Sequence, residues 1–171
     1  MDTNLSSYRK VVGLRRRVAG LPIDFKITTV TECETKYPPD TEVLVETWVL
    51  GESVLGRTRF GRSGDTEILE QLVQIISDNS YPKPEKRGSQ PLEGGYRNQQ
   101  RDAIILATHL REQRDTLLTN DMKGFKGKDG KLLKKLKEVA YVEYHHKLRV
   151  MTEEEFGRFC DWMSWLKNLR Y

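Results

Sequence analysis

Four acidic residues in this sequence stand where one predicted element gives way to the next. They are Asp2, Glu34, Asp102 and Asp121. In an open sheet of parallel strands covered by helices, side chains at the carboxyl ends of the strands share one crevice. Carboxylates held that close repel each other unless a cation lies among them. Hard divalent ions such as Mg²⁺ and Mn²⁺ prefer oxygen ligands, so the four residues predict a metal site that activates water for phosphodiester hydrolysis.

Each acid has an ordinary structural explanation when it is taken alone. Asp102 could cap a helix or interact with the dipole of its first turn, and Asp121 could be a turn residue. Asp2 could lie in a frayed chain end, and Glu34 could be a solvated surface acid. Only the joint placement of the four residues favours the metal site over these explanations.

Strand and helix signals alternate along the chain, and they define the elements that would position the acids. Helical spacing of apolar residues predicts helices over residues 6–18, 41–55, 67–76, 102–113 and 132–138. Runs of β-branched or apolar residues predict strands over residues 23–30, 116–119, 139–144 and 148–151. A capping box of Thr152 and Glu155 predicts where the last helix begins. This alternation favours an α/β fold with a parallel sheet covered on both faces.

The composition indicates a single soluble domain. The chain has 171 residues, of which 37% are hydrophobic, enough for the core of one α/β domain. No apolar stretch approaches the length of a membrane span or of a secretory signal. Cys33 and Cys160 lie far apart, so neither a disulfide framework nor a zinc site is predicted, and a cytoplasmic location fits best. Residues 79–101 are rich in Pro, Gly and polar side chains and predict a long loop.

Five short stretches occur in the order found in PIN-domain nucleases, and the chain resembles that family from its first residues to about Phe156. The stretches are Asp2-Thr3-Asn4, Ile27-Thr28-Thr29-Val30-Thr31 before Glu34, Arg101-Asp102-Ala103-Ile104-Ile105-Leu106-Ala107, Leu117-Leu118-Thr119-Asn120-Asp121 with Phe125, and Val150-Met151-Thr152-Glu153-Glu154-Glu155-Phe156. The match is most specific from Asp102 onward. It implies a PIN-like three-layer α/β/α sandwich with a central, mostly parallel sheet, formed by residues 1–171 as one domain.

The resemblance also implies metal-dependent endoribonuclease activity, with Mg²⁺ or Mn²⁺ as the cofactor and water as the nucleophile. The catalytic and metal-binding residues would be Asp2, Glu34, Asp102 and Asp121. Their hydrogen-bonding neighbours would be Thr3, Asn4, Thr119 and Asn120.

The identity of the second acid stays open among four glutamates. Glu32 and Glu34 follow the same predicted strand, and Glu46 and Glu52 lie on the next predicted helix. Members of the family tend to place this acid four residues after the valine of the strand. Val30 is that valine here, so the resemblance favours Glu34.

Two groups of basic residues could hold an RNA backbone on either side of the acids. The predicted contacts are Arg15, Arg16, Arg17, Lys126, Lys128 and Lys131. A solvated charged surface explains them equally well, because charge runs are common on exposed helices. The net charge of +4 and a pI near 9.0 agree with a polyanionic partner without deciding it. RNA is the expected partner, the resemblance also admits an antitoxin-type protein and a homodimer, and no membrane partner is expected.

A second function also fits the sequence: a PIN-like RNA-binding or scaffolding module whose catalytic site is incomplete. Members of the family have an apolar strand that leads into the first acid, whereas Met1 alone precedes Asp2 in this sequence. Metal-dependent cleavage of single-stranded RNA distinguishes the two functions. A DNA-directed nuclease is a third and weaker alternative.

Three histidines fall outside these motifs. His109 lies two turns after Asp102 in the predicted helix, where a packed histidine is the expected state and a catalytic one the exception. His145 and His146 are predicted to lie in a turn between two strands.

Overall fold

The computed structural model describes residues 8–23, 27–28, 45–46, 65–82, 94–121, 125 and 130–169, which form a mixed α/β fold with more helix than strand. The helices are α1 (Tyr8–Arg17), α2 (Asp65–Ile76), α3 (Gly94–Arg111), α4 (Lys131–Tyr144) and α5 (Glu153–Asn168). The strands are β1 (Ile27–Thr28), β2 (Val45–Glu46), β3 (Leu117–Leu118) and β4 (Val150–Met151). The predicted α/β class is confirmed at this level.

The strands form two parallel pairs, β1 with β2 and β3 with β4. In the second pair, the Leu117 N–H donates to the carbonyl of Arg149 at 2.9 Å, and the Thr119 N–H donates to the carbonyl of Met151 at 3.0 Å. Parallel strands cannot be joined by a tight turn, so the chain must cross over between them. Helix α4 lies in this crossover.

Helices α3 and α4 both end at the edge of the sheet where β3 and β4 begin. Gln113, just beyond α3, donates a hydrogen bond from its side-chain Nε2 to the carbonyl of Tyr144, the last residue of α4, at 2.9 Å. Each helix is followed by its strand, and the two strands run in the same direction. The opposite edge of the pair therefore holds the residues that follow the strands, including Asp121 and Thr152.

Strand β3 lies between two hydrophobic clusters, because successive side chains of a strand point to opposite faces. Leu117 packs into the larger cluster, which the apolar faces of α2, α3 and α4 complete. Leu118 packs into the smaller cluster with Leu14 of α1 and Phe156 of α5. In α3, residues 103–107 are all buried, as expected for a helix whose apolar sequence is nearly unbroken.

The last helix begins at the capping box that the sequence predicts. The Glu155 N–H donates to Thr152 Oγ1 at 3.2 Å, and the Thr152 N–H donates to Glu155 Oε2 at 2.8 Å. Three acidic residues fill the first turn, where negative charge is favourable. The boundary between β4 and α5 is therefore determined by residues at the boundary itself.

The other described elements agree with the sequence in part. The predicted helices over 6–18 and 67–76 and the predicted strands over 116–119 and 148–151 overlap α1, α2, β3 and β4, and β1 lies within the predicted strand over 23–30. Within the described residues, no helix is both long enough and apolar enough to cross a membrane.

The predicted strand over residues 139–144 is wrong, because this stretch continues α4. Leu136, Val139 and Ala140 are buried at helical spacing, while Val142 is exposed. A strand would have buried every second side chain instead. The β-branched residues of this stretch favoured a strand, but packing against α2 and α3 determines the outcome.

The predicted helix over residues 41–55 is wrong at Val45 and Glu46, which form β2. They pair in parallel with Ile27 and Thr28 of β1. A β-branched residue such as Val45 adopts extended backbone readily, and a partner strand decides between helix and strand in such a short stretch.

The predicted loop over residues 79–101 is wrong at its end, because residues 94–101 form the first half of α3. The Tyr96 ring packs edge to face against the ring of Tyr81, with 5.7 Å between the ring centroids. Tyr96 also contacts the larger hydrophobic cluster. One aromatic contact therefore anchors a stretch of helix whose polar sequence shows no apolar stripe.

Candidate functional site

Asp121 lies just beyond β3, at the strand-end position that the sequence predicts. The Asp121 N–H donates to Oγ1 of Thr119 at 2.9 Å, and Thr119 is buried. Such a bond between a hydroxyl and the backbone two residues on stabilises a turn. The half-buried side chain of Asp121 is therefore held at the carboxyl end of β3 by its own neighbour.

Asn120 joins the end of β3 to the start of α5. Its Oδ1 accepts a hydrogen bond from the Glu153 N–H at 3.1 Å, and its Nδ2 donates to Glu153 Oε2 at 3.4 Å. The first N–H groups of a helix have no partner within the helix, so Asn120 satisfies one of them from outside. Thr119 and Asn120 thus bond to the backbone around the strand end, and the role beside the metal-binding acids that the resemblance implies for them stays a prediction.

Asp102 lies well inside α3, which begins at Gly94. The expectation that Asp102 opens a helix is wrong, because residues 94–101 are helical. Neither capping nor an interaction with the dipole of the first turn accounts for an acid at this position. Its side chain is half-buried beside the buried run of residues 103–107.

Several predicted site residues lie outside the described residues. They are Asp2, Thr3, Asn4, Glu32, Glu34 and Glu52. Of the remaining alternative, Glu46, only the backbone position in β2 is described. Among the residues that the structure describes, no three His, Cys, Asp or Glu side chains lie close enough to share a metal ion. The arrangement of all four acids stays a prediction.

The basic residues of α1 lie in its last turn, where positive charge is favourable. Arg15, Arg16 and Arg17 are exposed, but Nη2 of Arg17 donates to Oδ2 of Asp161 at 3.0 Å. The Arg17 guanidinium covers Gly157 so closely that a Cβ there would lie 2.6 Å from Nη1. Arg17 therefore holds α1 against α5, and Arg15 and Arg16 are the better candidates for phosphate contact.

Helix α4 begins with positive charge rather than negative. Its N-cap is Gly130, which makes no side-chain capping hydrogen bond, and the first turn of α4 contains no acidic residue. Lys131 and Lys134 are exposed there, while Lys126 and Lys128 lie outside the described residues. Cations at a helix N-terminus oppose the helix dipole, and a bound anion would relieve that repulsion.

His109 and His146 form a buried pair that the sequence did not indicate. They are 2% and 9% exposed, their ring centroids are 5.9 Å apart, and Nε2 of each is buried without a hydrogen-bond partner among the described residues. Burial above all, with the positive charge of Arg114 nearby, holds the pKa of His109 well below its usual value. A buried polar atom left unpaired costs about 1–3 kcal/mol.

The position of His146 also corrects a prediction. The turn that contains His145 and His146 joins α4 to β4 rather than two strands, and His145 caps α4 in the left-handed region at φ 51°. His109 is packed, as expected. The pair could not be predicted because the two histidines are distant in sequence. Their rings meet only because α3 and α4 end at the same edge of the sheet.

Cys160 is a core residue of α5. Its side chain is 1% exposed within the smaller cluster, and burial raises the pKa of its thiol. A protonated, inaccessible thiol is a poor nucleophile. Cys160 therefore contributes to packing rather than to the candidate chemistry.

Comparisons with protein-family models, with curated proteins and with solved structures found no match to this chain. Its PIN-like character therefore stays a prediction from the sequence.

Proposed function

We propose that this protein is a metal-dependent endoribonuclease with a PIN-like α/β/α sandwich, in which Asp102 and Asp121 share one carboxylate site with Asp2 and Glu34. The observation that carries the proposal is the position of two half-buried acids on a helix and on the strand that follows it. Asp102 lies on α3, and Asp121 ends β3.

Chain geometry supports a common location for these two acids. From Asp102 to Arg111, α3 rises about 14 Å at 1.5 Å per residue. From Leu117 to Asp121, an extended chain covers about 13 Å. Leu110 and Leu117 pack in the same cluster on either side of the turn, so the strand returns alongside the helix. This geometry would bring both acids near the same edge of the sheet.

The residues present suit Mg²⁺ or Mn²⁺. Asp102 and Asp121 supply hard carboxylate oxygens, which these ions prefer. A bound ion would neutralise the carboxylates and activate water for attack on the phosphodiester. Thr119 fixes the backbone that carries Asp121, and Asn120 ties this strand end to α5, so the acid is held in place before any ligand arrives.

The start of α4 supports RNA as the substrate. Lys131 and Lys134 are exposed at a helix N-terminus that has neither an acidic first turn nor a side-chain cap. RNA phosphates would accept hydrogen bonds from the first N–H groups of this helix and pair with the lysines there. Such contacts hold a backbone without selecting a base, so the proposal concerns single-stranded RNA as a class.

A non-catalytic RNA-binding module of the same fold is the second candidate. The observation that favours it is the exposed lysines of α4, which could hold an RNA backbone without any metal site. This module would bind RNA through the same lysines and would cleave nothing, with or without Mn²⁺.

A cleavage assay with matched variants tests the proposal. Asp102→Asn and Asp121→Asn should each reduce Mn²⁺-dependent cleavage of single-stranded RNA by at least about a hundredfold, because each removes a metal ligand at nearly constant volume. Mn²⁺ should raise the melting temperature of the unaltered protein and should raise that of either variant less, since only an intact site gains stability from bound metal.

Asp78→Asn is the matched control. Asp78 is exposed, adopts φ 49°, and lies in the turn after α2. Asparagine tolerates that left-handed backbone, so cleavage and the Mn²⁺-induced shift should both persist. Wild-type activity and an undiminished Mn²⁺ shift in Asp102→Asn would remove Asp102 from the site. RNA binding without cleavage by the unaltered protein would favour the non-catalytic module.

A further inference from the structure

A cavity lies at the edge where β3 and β4 begin, opposite to the edge of Asp121. Its volume is about 680 Å³, and its lining includes Thr116 before β3 and Arg149 before β4. Pockets that bind small molecules have volumes of roughly 300–1,000 Å³. The cavity is therefore large enough for a ligand, and neither Asp102 nor Asp121 lines it.

The polar part of the lining is cationic. Among the described lining residues, the cations Arg114, Lys147 and Arg149 outnumber the acids, of which there is one, Asp115. Lys147 and Arg149 are exposed, so their charges remain available at low cost in desolvation. Three positive groups around one cavity favour a ligand with a compact, multiply charged anionic group, and a phosphate monoester has this chemistry.

The remaining lining is apolar and partly aromatic. Leu118 of β3 and Phe156 and Phe159 of α5 contribute to it, and the two phenylalanine rings pack against each other with their centroids 6.3 Å apart. An aromatic ring of a ligand gains both burial and ring stacking in such surroundings. Inorganic phosphate alone would leave this part of the cavity unused.

The histidine pair supplies an independent observation that points to a ligand. His109 and His146 both line the cavity, both are at least nine-tenths buried, and Nε2 of each has no hydrogen-bond partner within the described residues. A neutral imidazole has one donor and one acceptor. A heteroaromatic ring offers both kinds of group along its edge, whereas the hydrocarbon chain of a fatty acid offers neither.

We propose that this cavity binds a nucleoside monophosphate, with its phosphate at Arg114, Lys147 and Arg149 and its base between the phenylalanines and the histidine pair. The ligand is an anion with a heteroaromatic body, the combination that the lining favours. The proposal does not depend on metal binding or on RNA cleavage, because neither Asp102 nor Asp121, the two described acids of the carboxylate site, lines the cavity.

Calorimetric titration of the full chain in EDTA tests the proposal without a contribution from a metal site. The probes are AMP, GMP, CMP and UMP, with the matching nucleosides and inorganic phosphate as comparisons. At least one nucleotide should bind with a dissociation constant below 1 mM, and its nucleoside and inorganic phosphate should each bind at least tenfold more weakly. Failure of all four nucleotides to bind, or equal binding of nucleoside and nucleotide, overturns the proposal.

A pair of arginine variants locates the binding. Arg149→Gln should weaken nucleotide binding at least tenfold, while Arg158→Gln should not change it. Both arginines are exposed, but Arg158 pairs with Glu154 on α5 and does not line the cavity. Both variants should keep the wild-type melting temperature, so a loss of affinity cannot be ascribed to unfolding. Equal affinities of the two variants would place the nucleotide elsewhere and refute the assignment.

Imidazole resonances give a readout that does not need a variant. Nucleotide addition should shift the ring resonances of His109 and His146, which line the cavity, and should leave those of the exposed His145 in place. Shifts confined to His145 would contradict binding in this cavity.

Discussion

His109 illustrates how a single buried side chain makes the stability of the molecule depend on pH. Burial lowers its pKa below 6.5 in the folded state, whereas the unfolded chain exposes it. Between the two pKa values the unfolded state binds more protons, so the free energy of unfolding falls as the pH falls. Well above pH 6.5 the residue is neutral in both states, and this effect is absent.

Replacing His109 by phenylalanine should remove that dependence. Acidification from pH 7.5 to 5.5 should lower the unfolding free energy of the unaltered protein by about 1 kcal/mol more than that of His109→Phe. Urea unfolding at the two pH values measures the difference. His145→Asn, at an exposed position, should keep the wild-type dependence. If the unfolding free energy of His109→Phe falls as steeply on acidification as that of the unaltered protein, the pH dependence has another source.

At the residue scale, the sequence predicts where a residue lies along the chain of elements better than it predicts which other side chains contact it. Asp121 is found at a strand end because the apolar run before it stops abruptly at Asn120. Asp102 stands before an equally clear apolar run, yet it does not begin the helix, because Tyr96 anchors an additional stretch of helix before it. Contacts between residues distant in sequence determine where such a helix begins, and the spacing of neighbouring residues gives no information about those contacts.

At the scale of elements, the N-terminus of α5 makes a measurable contribution to stability. Thr152→Ala removes the side-chain half of the capping box and should lower the unfolding free energy by about 1 kcal/mol. Asn120 continues to accept from the Glu153 N–H, which limits the loss. Chemical unfolding measures it, with Thr66→Ala on the exposed face of α2 as the control expected to change stability by less than about 0.5 kcal/mol. Equal losses in the two variants would mean that the cap contributes nothing specific.

Helices and strands whose boundaries carry a local sequence signal could be predicted, whereas those that depend on packing against other elements could not. The Thr152–Glu155 box marks the start of α5 within four residues of sequence, and the structure has it there. The stretch from Val139 to Tyr144 has high strand propensity but joins α4, because Val139 and Ala140 complete a buried helical stripe. Propensity is a weak signal when tertiary packing opposes it.

At the scale of the whole molecule, charge should control RNA binding more than sequence does. The exposed lysines of α4 are Lys131, Lys134, Lys135 and Lys137. Replacing them by glutamine should weaken binding to all single-stranded RNAs alike and reduce the slope of log affinity against log salt by about 0.7 for each lost phosphate contact. Filter binding at several salt concentrations measures the slope.

Lys167→Gln is the control for this prediction. Lys167 is an exposed cation on α5 that donates from Nζ to the carbonyl of Gly20 at 3.0 Å, so its replacement should leave the salt slope unchanged. An altered preference among RNA sequences with an unaltered slope would show that the α4 lysines contact bases rather than phosphates.

The position of β3 between the two hydrophobic clusters has a consequence for how the molecule unfolds. Leu117 belongs to one hydrophobic cluster and Leu118 to the other, so loss of this strand opens both. The two clusters should therefore unfold in one cooperative step, and local fluctuations should leave the strand closed. In native-state hydrogen exchange, the amides of Leu117 and Thr119, which donate to Arg149 and Met151, should exchange as slowly as global unfolding allows. Faster exchange at these amides than in the centre of α3 would mean that the two halves of the core open independently.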